Sequence, residues 1–397
     1  MGMIGDVSDR SIALGPGVVA LPERLLLAHA RGEVLLVCGA GVSMPAGLPN
    51  FEELVVDVYG VLDPPVHQVM EEVRADPARQ ADGGDLEPQQ VAEVRQFAKG
   101  EYDVVLGMLE RRLDGSDDPK SNVRRAVASI LSQDGARPAP IHRAIMRLAD
   151  RGGAVSVVTT NFDLLLERAV RPRPTTYALA GIPRPTRRSL FSGVFHAHGA
   201  LTTRGQGTSD LVLTDQDFGE FYLRRRVVPD FIYDAARLYH LVLVGYSASD
   251  APMRYLLNAV AADGTRFLDI KERFCFVGED SADLAVLADW HARGITPIPY
   301  SSDDGHAELH DVLRLWAKLS PINGRPEDVY RTMRRIVRRP LEDSEEVDRE
   351  LFAHLFRRGD RRERWRMADI VASTNAELGW LTLINEVARD GNASRGR

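Results

Sequence analysis

At 397 residues, 44% of them apolar, the chain exceeds one typical domain and can bury a sizeable core. Its formal charge of -7 argues against whole-surface attraction to nucleic acid, and no apolar run approaches the roughly 20 residues needed to span a bilayer. Two cysteines, Cys38 and Cys275, are too few for a disulfide framework or a four-thiolate zinc site, and both sit in apolar runs, which fits a reducing cytoplasm.

The N-terminus shows no charged-then-apolar leader, so a soluble, cytoplasmic protein without membrane association is expected. Strand-like segments follow at 34–38 (VLLVC), 155–159 (VSVVT), 193–197 (GVFHA), 241–244 (LVLV), 273–277 (RFCFV) and 295–299 (ITPIP). Most are continuous apolar runs separated by helical periodicity, which suits strands covered on both faces and predicts an α/β fold with a Rossmann-like, mainly parallel sheet. Between the first two strands, residues 66–74, 87–98, 101–113, 121–132 and 140–150 show three-to-four spacing, so a helical insertion is expected over about 52–150. Its breakers are DPP at 63–65, DGG at 82–84, DGSDDP at 114–119 and DGARPAP at 134–140. From about 321 onward three or four amphipathic helices are predicted, broken at Pro340 and Gly359–Asp360. Arg334, Arg335, Arg338 and Arg339 form a basic cluster nearly balanced by Glu342, Asp343, Glu345 and Glu346; a second cluster spans Arg357 to Arg366. The expected organisation is a main domain over 1–320 and a C-terminal helical region over 321–397, the latter serving docking or oligomerisation.

The first strand runs into CGAGVSMPAGLPNF at 38–51. Glycines at a strand-to-helix turn let backbone N–H groups approach an anion, and Gly39, Gly41 and Gly47 supply them. Neither GxGxxG with its following acid nor GxxxxGK[ST] is present, so a plain tight connection is the competing reading. Three more strand ends are polar: TTNFD at 159–163, HAHG at 196–199 and GYSASD at 245–250. In an open parallel sheet such ends converge on one crevice beyond the carboxyl termini of the strands. Asn161 and Asp163 could instead cap the helix that follows, and helix capping is equally the alternative for Ser247 and Asp250. His198 offers imidazole for acid–base work; His196, two residues away and on the same face if the strand is regular, reads as a core histidine.

Taken in order, GAGxS, TxNxD, HG and GxSxxD resemble the sirtuin-like family of NAD-handling proteins over roughly residues 33–300, and LVLTDQDFGEFY at 211–222 has the same look. The resemblance implies NAD contacts from Gly39, Ala40, Gly41, Ser43, Asp163, Gly245, Ser247 and Asp250, with Asn161 and His198 catalytic. Asn161 would stand beside the ribose and any attacking water, Asp163 at the carboxamide, Ser43 at a phosphate, and Ser247 and Asp250 at the adenosine end. Two departures matter. There is no CxxC, hence no zinc module, and Pro49, Asn50, Phe51 and Glu52 stand where many deacylating sirtuins carry an acid, Phe and Arg. The chain therefore looks more like the zinc-free, sirtuin-like NADases of bacterial antiphage systems, an NAD glycohydrolase using NAD as substrate and no metal. A homo-oligomer and a HerA-type ATPase or other defence partner follow from the same resemblance. An NAD-dependent protein deacylase, or a catalytically silent nucleotide-binding subunit, are the alternatives.

Overall fold

The computed structural model describes residues 10–76, 85–114, 121–132, 135–182, 191–201, 211–246, 270–278, 283–374 and 376–393. A short antiparallel pair, β1 (Ser11–Ile12) and β2 (Leu21–Pro22), precedes the helix Glu23–Ala30. The main sheet holds β3 (Val34–Cys38), β4 (Ser156–Thr159), β5 (Thr176–Tyr177), β6 (Gly193–His196), β7 (His240–Val244), β8 (Arg273–Gly278) and β9 (Ile295–Tyr300). Their order is β5-β6-β4-β3-β7-β8-β9, and every pairing is parallel. The expected α/β, Rossmann-like architecture is thus the one observed. All six expected strands form; the two-residue strands β1, β2 and β5 are too short to leave a periodic signal.

The pleat explains the continuous apolar runs. Val34, Leu36 and Cys38 enter one apolar cluster and Leu35 and Val37 the other, so each face of β3 needs its own apolar set. The first face is covered by helices Glu23–Ala30, Pro140–Ala149 and Asp303–Leu319, and the same cluster continues into the C-terminal helices through Met333, Phe352, Ile370 and Trp380. The opposite face is covered mainly by the helix Val227–Leu238 and by Trp290. A third cluster belongs to the helices Phe51–Leu62, Pro64–Ala75, Pro88–Phe97, Tyr102–Asp114 and Asn122–Leu131, and takes in Phe162, Leu211 and Leu213 from the main domain. Among the described residues no helix is long and apolar enough to cross a membrane.

After β3 the chain builds β4, β5 and β6 on one side and then returns to place β7 on the other. A cleft lies beyond the carboxyl ends of β3, β4 and β6, and residues of the helical insertion line it as well.

Candidate active site

The turn after β3 is built against the end of β7. Gly39 N–H donates to the Val244 carbonyl at 2.9 Å and Gly41 N–H to the Gly245 carbonyl at 3.1 Å. A Cβ on Gly39 would lie 2.5 Å from the Gly245 carbonyl oxygen, and Gly245 itself sits at φ +73, so both positions require glycine. The Val42 and Ser43 N–H groups return to the Gly39 and Ala40 carbonyls. The glycines serve the close approach of two strand ends, and Ala40 is the residue of this GAG turn that lines the cleft. Gly245 holds the turn from beneath, while Ser247 and Asp250 lie outside the described residues.

The cleft holds about 630 Å³ of non-atom space, open solvent at its mouth included. Ala40, Ser43, Asn161, Asp163 and His198 line it together, so residues of three separate strand ends meet. Sequence reasoning did not anticipate its apolar lining, drawn from Leu48, Phe51, Leu54, Leu131, Phe162, Val212 and Phe218. Asn50, expected at a departure from the deacylase pattern, is the N-cap of Phe51–Leu62: it accepts from Glu53 N–H at 2.9 Å while Glu53 takes the Asn50 N–H at 2.9 Å. That box aims Phe51 at the cleft.

Asn161 does not cap the following helix. Its side-chain amide donates to the Gly39 carbonyl at 3.0 Å and to Ser43 Oγ at 2.9 Å, tying the end of β4 to the turn after β3. With the nitrogen held so, Oδ1 accepts no hydrogen bond from the described residues. Ser43 is 3% exposed and in turn donates to Asp163 Oδ2 at 2.8 Å. Its hydroxyl is therefore a link between Asn161 and Asp163. Asp163 lines the cleft, and its Oδ1 accepts the Leu165 N–H at 2.9 Å where the short helix Leu165–Arg168 begins.

The two histidines part company because β6 ends at His196. His196 is fully buried, bonded through Nδ1 to the Asn161 carbonyl at 2.8 Å and through Nε2 to Glu167 at 2.9 Å. Burial pulls its pKa down, but the hydrogen bond and charge of Glu167 outweigh that and hold it above the usual histidine value. It is a core histidine, as expected, yet one that fastens the main chain of Asn161. Glu167 was missed, although a carboxylate inside the apolar run LLLERA was its signal.

His198 lies past the strand, so alternation no longer governs it and it turns to the cleft wall. Its Nε2 stands 2.6 Å from the Tyr222 hydroxyl, and its ring meets Phe218 edge-on at 5.5 Å. Burial pushes its pKa down to about 3, well below the usual histidine value.

The insertion is locked to this wall by Arg124. Its guanidinium bonds Asp217 at 2.8 and 2.9 Å, Glu110 at 3.0 Å and the Leu211 carbonyl at 2.8 Å. Asp217 also takes the Leu213 and Thr214 N–H groups, both at 2.9 Å, fixing the segment that carries Val212 and Phe218. Among the described residues no group of three or more His, Cys, Asp or Glu side chains is arranged to hold a metal ion.

Residues 155–298, which hold TTNFD and HAHG, match a family model described as SIR2-like domain. The uncharacterized protein y4cA of Sinorhizobium fredii is 36% identical over 303 residues, covering 74% of this chain; the chain spans 23% of that relative's length. A solved structure titled "Structural Basis for the Mechanism and Regulation of Sir2 Enzymes" is similar over 74% of this chain and 96% of its own, at 16% identity and a TM-score of 0.34. Over 155–298 the chain is thus similar to SIR2-like domains, with the turn after β3 joined to that stretch by the hydrogen bonds of Asn161.

Proposed function

We propose that this chain is an NAD glycohydrolase, cleaving NAD to nicotinamide and ADP-ribose. The observation that carries the reading is Asn161: its amide nitrogen is spent on Gly39 and Ser43, which leaves Oδ1 to accept from a water or a ribose hydroxyl at the cleft. The SIR2-like match over the same residues supports NAD as the molecule handled. Breaking the nicotinamide–ribose bond develops oxocarbenium-like charge on the sugar, and a carboxylate nearby favours that charge. Asp163 is the carboxylate, and its remaining lone pairs suit the carboxamide NH2 of nicotinamide. His198, neutral across the physiological range, acts as a hydrogen-bonding wall group and not as a reservoir of protons near pH 6.5.

The apolar wall of Leu48, Phe51, Leu54 and Leu131 favours one further reading, a deacylase whose acyl group would lie against it. Incubation with NAD, with and without an acylated peptide, separates the two. Free ADP-ribose formed without peptide supports the hydrolase; acyl-ADP-ribose formed only with peptide replaces it by the deacylase; NAD binding without turnover in either condition sinks both. In the cell we place the activity in a regulated antiphage effector in the cytoplasm, held as a homo-oligomer and switched by a HerA-type ATPase or another defence partner. Repeating the incubation with such a partner tests that arrangement, and NAD loss unchanged by it would remove the regulatory part.

A further inference from the structure

Asn161 stands just past the end of β4, whose last paired residue is Thr159, so its peptide groups lack strand partners. They are held all the same. The Asn161 N–H donates to Thr159 Oγ1 at 3.0 Å, and the side-chain amide donates to the Gly39 carbonyl and to Ser43 Oγ. The Asn161 carbonyl accepts from His196 Nδ1–H, with 2.8 Å between nitrogen and oxygen. Of the polar atoms of this cleft-lining residue, Oδ1 is the one that takes no hydrogen bond from the described residues.

His196 reaches that carbonyl because it is the last residue of β6 and lies opposite Thr159 in the register, beside the point where the chain leaves β4. A carbonyl oxygen only accepts, so Nδ1 carries a hydrogen in the neutral ring and in the cation alike. The far side of the ring is fastened too. Nε2 stands 2.9 Å from Glu167 Oε1, and the same oxygen accepts the Thr176 hydroxyl at 2.8 Å. His196 is fully buried and Glu167 is 3% exposed, so water does not compete for these bonds. Burial raises the Glu167 carboxyl, but the hydrogen bond and charge of His196 outweigh that and hold it below the usual carboxylate value, the complement of the raised His196.

We propose that His196 is a positioning residue for Asn161, with Glu167 bracing its ring: Nδ1–H fixes the Asn161 peptide, and the fixed peptide sets the side-chain amide on Gly39 and Ser43, so that Oδ1 keeps one place. His196 does not itself line the cleft, so its effect on the reaction travels through Asn161. The activity arm of the test rests on the NAD-cleaving reading; the spectroscopic arm does not.

Two substitutions divide the duties of the ring. Asparagine places its amide nitrogen where Nδ1 stands and glutamine where Nε2 stands, so His196→Asn keeps a donor for the Asn161 carbonyl and gives up Glu167, while His196→Gln does the reverse. Protein labelled at histidine ring and asparagine side-chain nitrogens reports both ends of the contact, with signals assigned by their loss in His196→Gln and Asn161→Asp. At neutral pH the wild type is expected to show a hydrogen on His196 Nδ1 and slow solvent exchange of the Asn161 side-chain amide. His196→Gln is expected to speed that exchange by about tenfold or more, and His196→Asn by no more than about threefold. In NAD turnover, His196→Gln is expected to lower kcat by about tenfold with KM within about twofold, and His196→Asn to keep a kcat at least about fivefold above that of His196→Gln. Equal exchange or equal kcat in the two variants, or the better values in His196→Gln, would make the ring a packing group and overturn the proposal. An Nδ1 without hydrogen in the wild type overturns it even if neither variant folds. Protein with the expected spectra that never cleaves NAD would sink the NAD reading and leave the positioning of Asn161 standing.

Discussion

The described residues of 51–131 and of 327–393 are both helical additions to the same sheet, and each region is fastened by an arginine on a carboxylate. The first is held by Arg124 to Asp217, a residue of the cleft-wall segment; the second by His354 and Arg357 to Glu23, on the helix that precedes β3. Arg335 and Asp348, paired at 2.7 Å, lie within the second region, and Arg339 stands 3.8 Å from Glu345, so two arginines of the four in the basic cluster meet a carboxylate of that region. The difference is where each region meets the sheet. The insertion stands at the carboxyl ends of the strands, where its Phe51, Leu54 and Leu131 become cleft wall. The C-terminal helices join the apolar cluster on one sheet face, where they add buried surface and no cleft residue. Similar amphipathic helices thus acquire different consequences from position alone, so breaking the first fastening is expected to change rate and breaking the second to change stability.

Ranked by effect on turnover, the first test establishes what loss of the chemistry itself looks like. Asn161→Ala and His198→Ala are each expected to lower NAD turnover on the order of 100-fold or more while thermal unfolding stays cooperative. Full activity in Asn161→Ala would make the Gly39–Ser43–Asn161 links merely structural.

Next comes Arg124→Met, which leaves Asp217 and Glu110 without their cation but keeps the length of the side chain. We expect turnover to fall by about tenfold or more, since misplaced catalytic groups lose rate steeply, together with lower protection of amides 211–222 from hydrogen exchange. Unchanged turnover would deny that the insertion governs the cleft. His196→Ala should lower turnover less than His198→Ala, because it releases the Asn161 carbonyl without touching the cleft; its larger cost is expected in thermal stability. A loss matching His198→Ala would instead give both histidines a part in the reaction.

Glu23→Ala is expected to leave kcat per folded molecule unchanged and to cost about 3–5 kcal/mol of stability, the usual consequence of removing one partner from a buried ionic group. Denaturant unfolding beside turnover checks both halves, and a drop in kcat would erase the contrast between the two regions. The same group bears on pH. Burial holds His354 and His29 down at about 4 and His198 at about 3, so each contributes stability that is complete above about pH 6.5 and is lost as pH falls toward its folded value. Each adds a slope of about 1.4 kcal/mol per pH unit in that window. His196 has the opposite sign: its raised pKa contributes stability that is complete below about pH 6.5 and is lost as pH rises through the folded value. Unfolding between pH 7 and 5 should therefore weaken the protein, with a shallower slope in His354→Gln; an unaltered slope would show that His354 titrates normally.

The strands were legible because a doubly covered sheet demands continuous apolar runs. The expected segments 34–38 and 241–244 meet β3 and β7, the latter beginning one residue earlier, and helices fill much of the expected insertion. The polar strand ends at Gly39–Ser43, Asn161–Asp163 and His198 were legible for the complementary reason, that a buried strand has no local use for such residues. What they do there was not. Ser43 and Asp163 stand 120 positions apart, and Arg124 and Asp217 stand 93, so no periodicity within one element could announce that Ser43 donates to Asp163 or that the second pair clamps a wall. The contact of Tyr222 with His198 depends on a π-helix that carries Tyr222, and the separation of His196 from His198 depends on where β6 stops pairing with β4. Local sequence determines which segments must be buried and which residues are chemically able to act, because hydrophobic periodicity and side-chain chemistry are properties of neighbours along the chain. Only the tertiary structure decides which of those residues meet, because hydrogen bonds and burial are set by groups that the fold brings together from distant positions.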